Sequence, residues 1–385
     1  MGRVRQSSRA VRQFGLQGRL AVGVPKNGNE SSLPGTPELV VAVLAGADGD
    51  LGRAIATVRE RRLPLWIFDT TPDERHRLTV PEGPDVELVA TPWPKSFAAA
   101  RNTGLEMLER SSRAYTHVLW LDSDEHLESR PLVEDLSKMG SRVGCPTISD
   151  STTATQGVAR VIPLGQQLRY RGLVHEYVVD SRARACTLVP VSGEIIHEGY
   201  EQRDRSMRNT DLLLQQIRNT PSEMRWRPFL VRDGHKRLSN EQLVRLNEEQ
   251  ATLPHSSEDV GGITEPEYLS MLARHTCLAL LGRNEARLAD AVLAAHETTD
   301  EHASSELLYL RLMSQAVANQ IDMDLFAVAI DKRVSSFGRE AEDQPWLDAA
   351  IAHILDVMGE HDDATAYRTQ STRYTDEFFI DSEIR

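Results

Sequence analysis

Three acids crowd the end of one apolar run. In HVLWLDSDEHL, from His117 to Leu127, the side chains of Asp122, Asp124 and Glu125 follow directly on a short hydrophobic stretch. In an extended segment residues i and i+2 point to the same side. The spacing therefore predicts that the carboxylates of Asp122 and Asp124 face one cation. Hard oxygen ligands suit Mg2+ or Mn2+, which proteins usually hold through one or two carboxylates plus the phosphates of a bound substrate. The chemistry this pattern can support is that of a metal that holds a diphosphate. Taken alone, the pair has a second reading, a solvated acidic turn.

The elements that must position these acids read as alternating strands and helices. ELVVAVLAG, from Glu38, is a near-continuous apolar run, as expected of a strand covered on both faces. DLGRAIATVRERR follows with Leu51, Ile55 and Val58 at helical spacing, then LPLWIFDT and VELVATPW as strands, SFAAARNTGLEMLERSSR as a helix and HVLWLD as the next strand. This alternation predicts an α/β sheet with mostly parallel strands, which binds ligands at its carboxyl ends. Asp69 and Asp122 both fall at such ends. Beyond Gly140 the segments SRVGCPTI, GVARVIPL, RYRGLVHEYVV and LVPVSGEIIH read as a β meander. From about Arg205 the pattern is helical, with helix–turn–helix pairs that predict a helical-hairpin extension packed in the tetratricopeptide style. The polar stretch from Arg232 to Pro266 reads as a loop or lid. The expected organisation is a disordered basic tail over 1–37, an α/β domain over 38–205 and a helical domain over 206–385.

Four short motifs in this order carry a resemblance: FAAARN (Phe97 to Asn102), LDSDEHL (Leu121 to Leu127), HE (His175, Glu176) and HEGY (His197 to Tyr200). With Asp69 at the end of an earlier strand, they resemble a family 2 glycosyltransferase of the GT-A fold, a Rossmann-like nucleotide-diphospho-sugar transferase, over about residues 38 to 210. The resemblance implies a nucleotide-sugar donor, UDP-linked by preference, with Mn2+ or Mg2+ and inverting transfer. It places Ala45 and Asp69 against the nucleobase and ribose, Asp122 and Asp124 at the ribose and the metal-bound diphosphate, and His197 as a further metal ligand. Some relatives in this branch glycosylate peptides and carry a helical C-terminal extension. A peptide or small natural-product acceptor is therefore expected, with a surface polysaccharide as the alternative.

Inverting transfer needs a base on the acceptor hydroxyl. Glu176 is the candidate and His175 the reserve, and strand alternation would put these neighbours on opposite faces. Arg101 has two readings, a contact to donor phosphate or a buried salt bridge that holds Asp122. Asn102 is expected to bond backbone, Trp93 and Trp120 to be core aromatics, and Arg203, Arg205 and Arg208 to begin a helix or close over the diphosphate. The competing classes are a D-x-D hydrolase, which expects the motif on its first strand, a nucleotidyltransferase, and a non-catalytic helical scaffold with a relic donor site.

Bulk properties narrow the partners. A net charge of −13 over 385 residues argues against sequence-independent nucleic-acid binding. No apolar run reaches the length of a membrane span, and Arg3, Arg5, Arg9 and Arg12 precede no hydrophobic leader core. The three cysteines, Cys145, Cys186 and Cys277, lack metal spacing and read as reduced thiols, so a cytoplasmic location is expected. Helical repeats also commonly mediate self-association, which makes a homodimer a further expectation.

Overall fold

A computed structural model describes residues 38–46, 51–71, 85–150, 154–197, 206–253, 265–296, 301–336 and 345–370. The basic N-terminal segment, Tyr200, Arg203, Arg205 and part of the expected lid lie outside the described residues. The described residues divide into two compact units, 38–197 in the first and 206–370 in the second.

The first unit is a mixed α/β layer. It opens with β1 (Leu39–Ala45), α1 (Leu51–Glu60), β2 (Leu65–Asp69), β3 (Val86–Ala90), α2 (Phe97–Glu109) and β4 (His117–Asp122). It continues with β5 (Glu125–Ser129), α3 (Val133–Met139), β6 (Val143–Ser149), β7 (Ala154–Thr155), β8 (Val161–Pro163), β9 (Arg169–Arg171), β10 (Tyr177–Val179) and β11 (Leu188–His197).

β1 is buried at all seven positions, and its period of two explains the unbroken apolar run. Leu39, Val41, Val43 and Ala45 join one core with Leu51, Ile55 and Val58 of α1. Val40, Ala42 and Leu44 join a second core with Ala98, Leu105 and Leu108 of α2. β4 alternates in the same way, Leu119 and Leu121 to the α1 side, Val118 and Trp120 to the α2 side. Continuing that alternation carries Asp122 to the α2 side. Ser96 starts α2, its Oγ accepting the Ala99 N–H at 3.1 Å. Gly104 lets α2 lie close to the sheet, since a Cβ there would stand 2.6 Å from Trp120 Cη2 and 3.0 Å from the Phe68 ring.

The main sheet runs β3-β2-β1-β4-β8-β6-β11-β5, with β7 beside β6. β3, β2, β1 and β4 are parallel. β8 lies antiparallel to both β4 and β6, β11 is parallel to β6, and β5 is antiparallel to β11. The expected meander after Gly140 is thus corrected: β6, β8 and β11 complete the same mixed sheet, β6 reaching β11 by a parallel pairing, whereas β9 and β10 form a separate two-stranded sheet. The sheet must also curl. In a flat sheet β4 and β5 would stand about 19 Å apart, four strand spacings of roughly 4.8 Å. The chain passes from Asp122 to Glu125 in three Cα steps, a reach of at most about 11 Å. The last strand therefore begins beside the end of β4, and this closure builds the region described below.

RYRGLVHEYVV is not one strand. β9 and β10 form an antiparallel hairpin in which Tyr177 pairs with Arg171. Gly172 and His175 in the turn take positive φ, 106° and 51°. The turn is tied to α2 by the Phe97 N–H, which donates to the Leu173 carbonyl at 3.0 Å.

In the second unit the described residues form helices: α4 (Ser206–Asn219), α5 (Trp226–Gly234), α6 (Asn240–Ala251), α7 (Glu265–Leu281), α8 (Ala286–Ala294), α9 (Glu301–Val317), α10 (Met323–Ser336), α11 (Pro345–Met358) and α12 (His361–Gln370). Apolar faces of consecutive helices pack on one another, as with Leu312 and Met313 against Phe326, Ile351 and Ile354. α6 occupies part of the expected lid. Ser239 and Gln242 form a reciprocal capping box at its start, and Leu243, Leu246, Asn247 and Gln250 are its buried face. Arg208 lies exposed in the first turn of α4 and bonds to Asn209. Among the described residues no helix is long and apolar enough to cross a membrane.

Candidate functional site

Strand ends gather the predicted residues of the first unit. Ala45 is the Cα partner of Asp69, and Leu44 that of Asp122, so β2, β1 and β4 bring Asp69, Ala45 and Asp122 to one edge of the sheet. The strand order changes direction there, with β2 on one side of β1 and β4 on the other, the position at which open α/β sheets bind ligands. Ala45 and Asp69 are tightly held. The Ala45 carbonyl accepts both the N–H and the hydroxyl of Thr70, each at 2.8 Å. Asp69 is 4 % exposed, and its Oδ1 accepts the Thr71 N–H at 2.9 Å and also the Thr71 hydroxyl.

Asp122 meets two guanidinium groups. Arg101, from α2, donates through Nη2 to Asp122 Oδ1 at 2.6 Å and through Nε to Glu176 Oε1 at 2.7 Å. Arg160, just ahead of β8, donates through Nη2 to Asp122 Oδ2 at 3.0 Å and to Glu125 Oε1 at 2.5 Å. The other oxygen of Glu125 accepts the backbone N–H of Asp122 at 2.8 Å. The Arg101 guanidinium also stacks on Trp120 and Tyr170, 5.3 and 5.5 Å from their ring centroids. Of the two readings of Arg101, the structure displays the salt bridge to Asp122.

Electrostatics follow from this packing. Burial opposes ionisation of Asp122, but Arg160 and Arg101 outweigh it and hold the carboxyl well below the usual range. Glu125 is pushed up to about 7, chiefly by burial, with Arg160 opposing and Asp122 adding to the rise. Burial also raises the Tyr170 phenol.

Asp122 and Asp124 do not present themselves as an extended pair. Ser123 and Asp124 form a two-residue turn, so the alternation argument does not apply. Both oxygens of Asp122 lie on guanidinium groups, whereas Asp124 faces the last residue of β11. Asp124 Oδ2 lies 3.9 Å from His197 Nε2. The register of β11 on β5 pairs His197 with Glu125 and so sets this approach. Among the described residues no group of three or more His, Cys, Asp and Glu side chains gathers as a metal site. The Asp124 carboxylate is the type of ligand that suits a Mn2+ or Mg2+ ion completed by substrate phosphates and water, with His197 within reach as a further ligand.

Glu176 and His175 close the region from the β9–β10 turn. Glu176 is tied to Arg101, with its side chain 14 % exposed. The opposite-faces argument for this pair is also corrected, because His175 sits in a turn at positive φ rather than in a strand. Asn102 bonds backbone as expected, but at long range: it donates to the Tyr170 carbonyl at 2.9 Å, accepts the Tyr170 N–H at 2.7 Å and so docks β9 on α2. Trp120 is fully buried in the core. Two residues of the cluster, Arg160 and Glu125, had no assigned role from the sequence. The only available signal for Arg160 was a lone arginine before the apolar run VIPL, and for Glu125 a third acid beside the pair.

No known protein-family model matches the chain, and no curated protein matches it.

Proposed function

We propose that this chain is a metal-dependent glycosyltransferase of family 2 with a GT-A fold and a tetratricopeptide-like helical extension. In this reading it moves a sugar from a nucleotide-sugar donor, a UDP-sugar by preference, to a peptide or small natural-product acceptor with inversion. The observation that carries the reading is the Asp122–Glu125 turn. It leaves the carboxyl end of β4 where the sheet order reverses and sets Asp124 beside His197, 3.9 Å apart. The helix pairs α7–α8 and α11–α12, each joined by a short turn, support the repeat-like extension.

Each residue then has a defined task. The edge formed by Ala45 and Asp69 receives the nucleobase and ribose. Asp122, immobilised by Arg101 and Arg160, offers a fixed carboxylate to the ribose side of the donor. Asp124 and His197 would hold Mn2+ or Mg2+, which when bound supplies positive charge against a departing diphosphate. Glu176 takes the acceptor proton, oriented by the Arg101 guanidinium at 2.7 Å, with His175 next to it in the same turn. A positioned base of this kind contributes on the order of a hundredfold to ten-thousandfold.

The test is a screen of the purified chain against UDP- and GDP-sugars with and without Mn2+, read by thermal shift and donor hydrolysis. The expected result is a donor-specific rise in melting temperature that needs Mn2+, together with slow donor hydrolysis. No shift and no turnover with any donor would overturn the proposal.

A further inference from the structure

Arg160 and Glu125 have no task in the reaction proposed above, yet they are the most deeply enclosed ion pair around the turn, with side chains 9 % and 0 % exposed. We infer that they are positioning residues: their pair locks the Asp122–Glu125 turn against β8 and thereby fixes Asp124 beside His197. The inference rests on the glycosyltransferase reading for the ligand, but the lock itself is a property of the fold.

Both oxygens of Glu125 take part in the lock. Glu125 Oε2 closes the turn on the Asp122 N–H at 2.8 Å, and Glu125 Oε1 meets Arg160 Nη2 at 2.5 Å. The same Nη2 reaches Asp122 Oδ2 at 3.0 Å, so one guanidinium nitrogen grips the two ends of the turn. Arg160 is itself held by its backbone. Its carbonyl accepts the Trp120 N–H at 2.9 Å, and its N–H donates to the Gly144 carbonyl at 3.1 Å, which ties it to β4 and β6. Glu125 also begins β5 and is the Cα partner of His197 on β11. The pair thus sits where the curled sheet closes, between the strand that presents Asp122 and the strand that presents His197.

Stability alone is a poor reason for such a pair. A buried ion pair is often no better for folding than apolar side chains of similar volume, whereas it can select one conformation over its competitors. Residues that orient a metal ligand without touching the metal typically change metal affinity by tenfold to a hundredfold when replaced.

The test compares the native chain with Glu125→Gln, which keeps volume and an acceptor for the Asp122 N–H, and with the apolar double variant Arg160→Met, Glu125→Leu. Mn2+ affinity in the presence of UDP is read by electron paramagnetic resonance, and amide hydrogen exchange is followed over residues 121–127. The expected result is a loss of Mn2+ affinity of at least about tenfold, with faster exchange in the turn of a variant that remains folded. Native-like affinity and exchange in a folded variant would overturn the lock. If the native chain binds neither Mn2+ nor UDP, the glycosyltransferase reading falls. Exchange then decides the lock alone: acceleration in the variants supports it and unchanged exchange removes it. Should the double variant fail to fold, Glu125→Gln decides.

Discussion

Asp122 and Asp124 stand two residues apart and answer to different partners. Asp122 neutralises buried guanidinium groups, and Asp124 faces an imidazole. Their substitutions should therefore differ in kind. Asp124→Ala is expected to leave stability near native and to abolish Mn2+-dependent donor binding, measured by calorimetric titration with UDP and Mn2+. Asp122→Ala strands Arg101 and Arg160 with fewer counter-charges. Because the Asp122 side chain is 32 % exposed, solvent screens part of that cost. A loss of about 1–3 kcal/mol in urea melts is expected. Equal effects of the two changes on stability and on metal-dependent binding would contradict this division. Glu176→Gln is predicted to retain donor affinity while transfer falls by about a hundredfold or more. Normal transfer by that variant would move the base to His175.

At the scale of elements, α2 is the piece that brings chemistry to the sheet. Arg101 and Gly104 lie one turn apart on its inner face, and the glycine allows the approach that seats Arg101 over Trp120. Alanine normally favours a helix over glycine by about 1 kcal/mol. Here the opposite sign is predicted, because the new Cβ would meet the Trp120 ring at 2.6 Å. Gly104→Ala should cost roughly 1–3 kcal/mol, as overpacked cores do, and lower the melting temperature. A stabilised variant would show that α2 can shift without loss. The helix itself was legible: a serine cap and apolar residues at helical spacing mark its extent. The β9–β10 turn was not, because RYRGLVHEYVV is apolar enough to read as one strand and its single glycine does not announce a reversal. The polar composition of the segment around α6 reads as a lid, although Ser239 and Gln242 carry the helix's capping signal.

At the scale of the whole molecule, buried titrating groups tie stability to pH in both units. Burial lowers His117 in the first unit to about 4 and, with Arg274 and Arg232 adding, His275 in the second to about 3. Unfolded histidine titrates near 6.5. Between those values the unfolded state binds more protons, so stability falls as pH falls from about 6.5 toward 4. Glu125, pushed up to about 7, acts in the other direction above its unfolded value and offsets part of the slope. The expected outcome is a melting temperature that declines from pH 6.5 to 4, with a shallower decline in His117→Gln. A flat profile would show that the histidines are solvated in the folded chain.

Local and periodic features are written in the order of the residues. Strands buried on both faces, amphipathic helices and an acidic strand end depend on near neighbours in the chain, so spacing reveals them. It also singled out Asp122, Asp124, Glu176 and His197 as residues able to do chemistry. Which of them meet depends on the folded sheet. Arg160 reaches Asp122 from 38 positions away, and His197 reaches Asp124 through the register of β11 on β5. The first contact follows from the pairing of β8 with β4, the second from the curl that returns β5 to the end of β4. That curl is a compromise among strand spacing, twist and a two-residue connection, and no local pattern of residues encodes it.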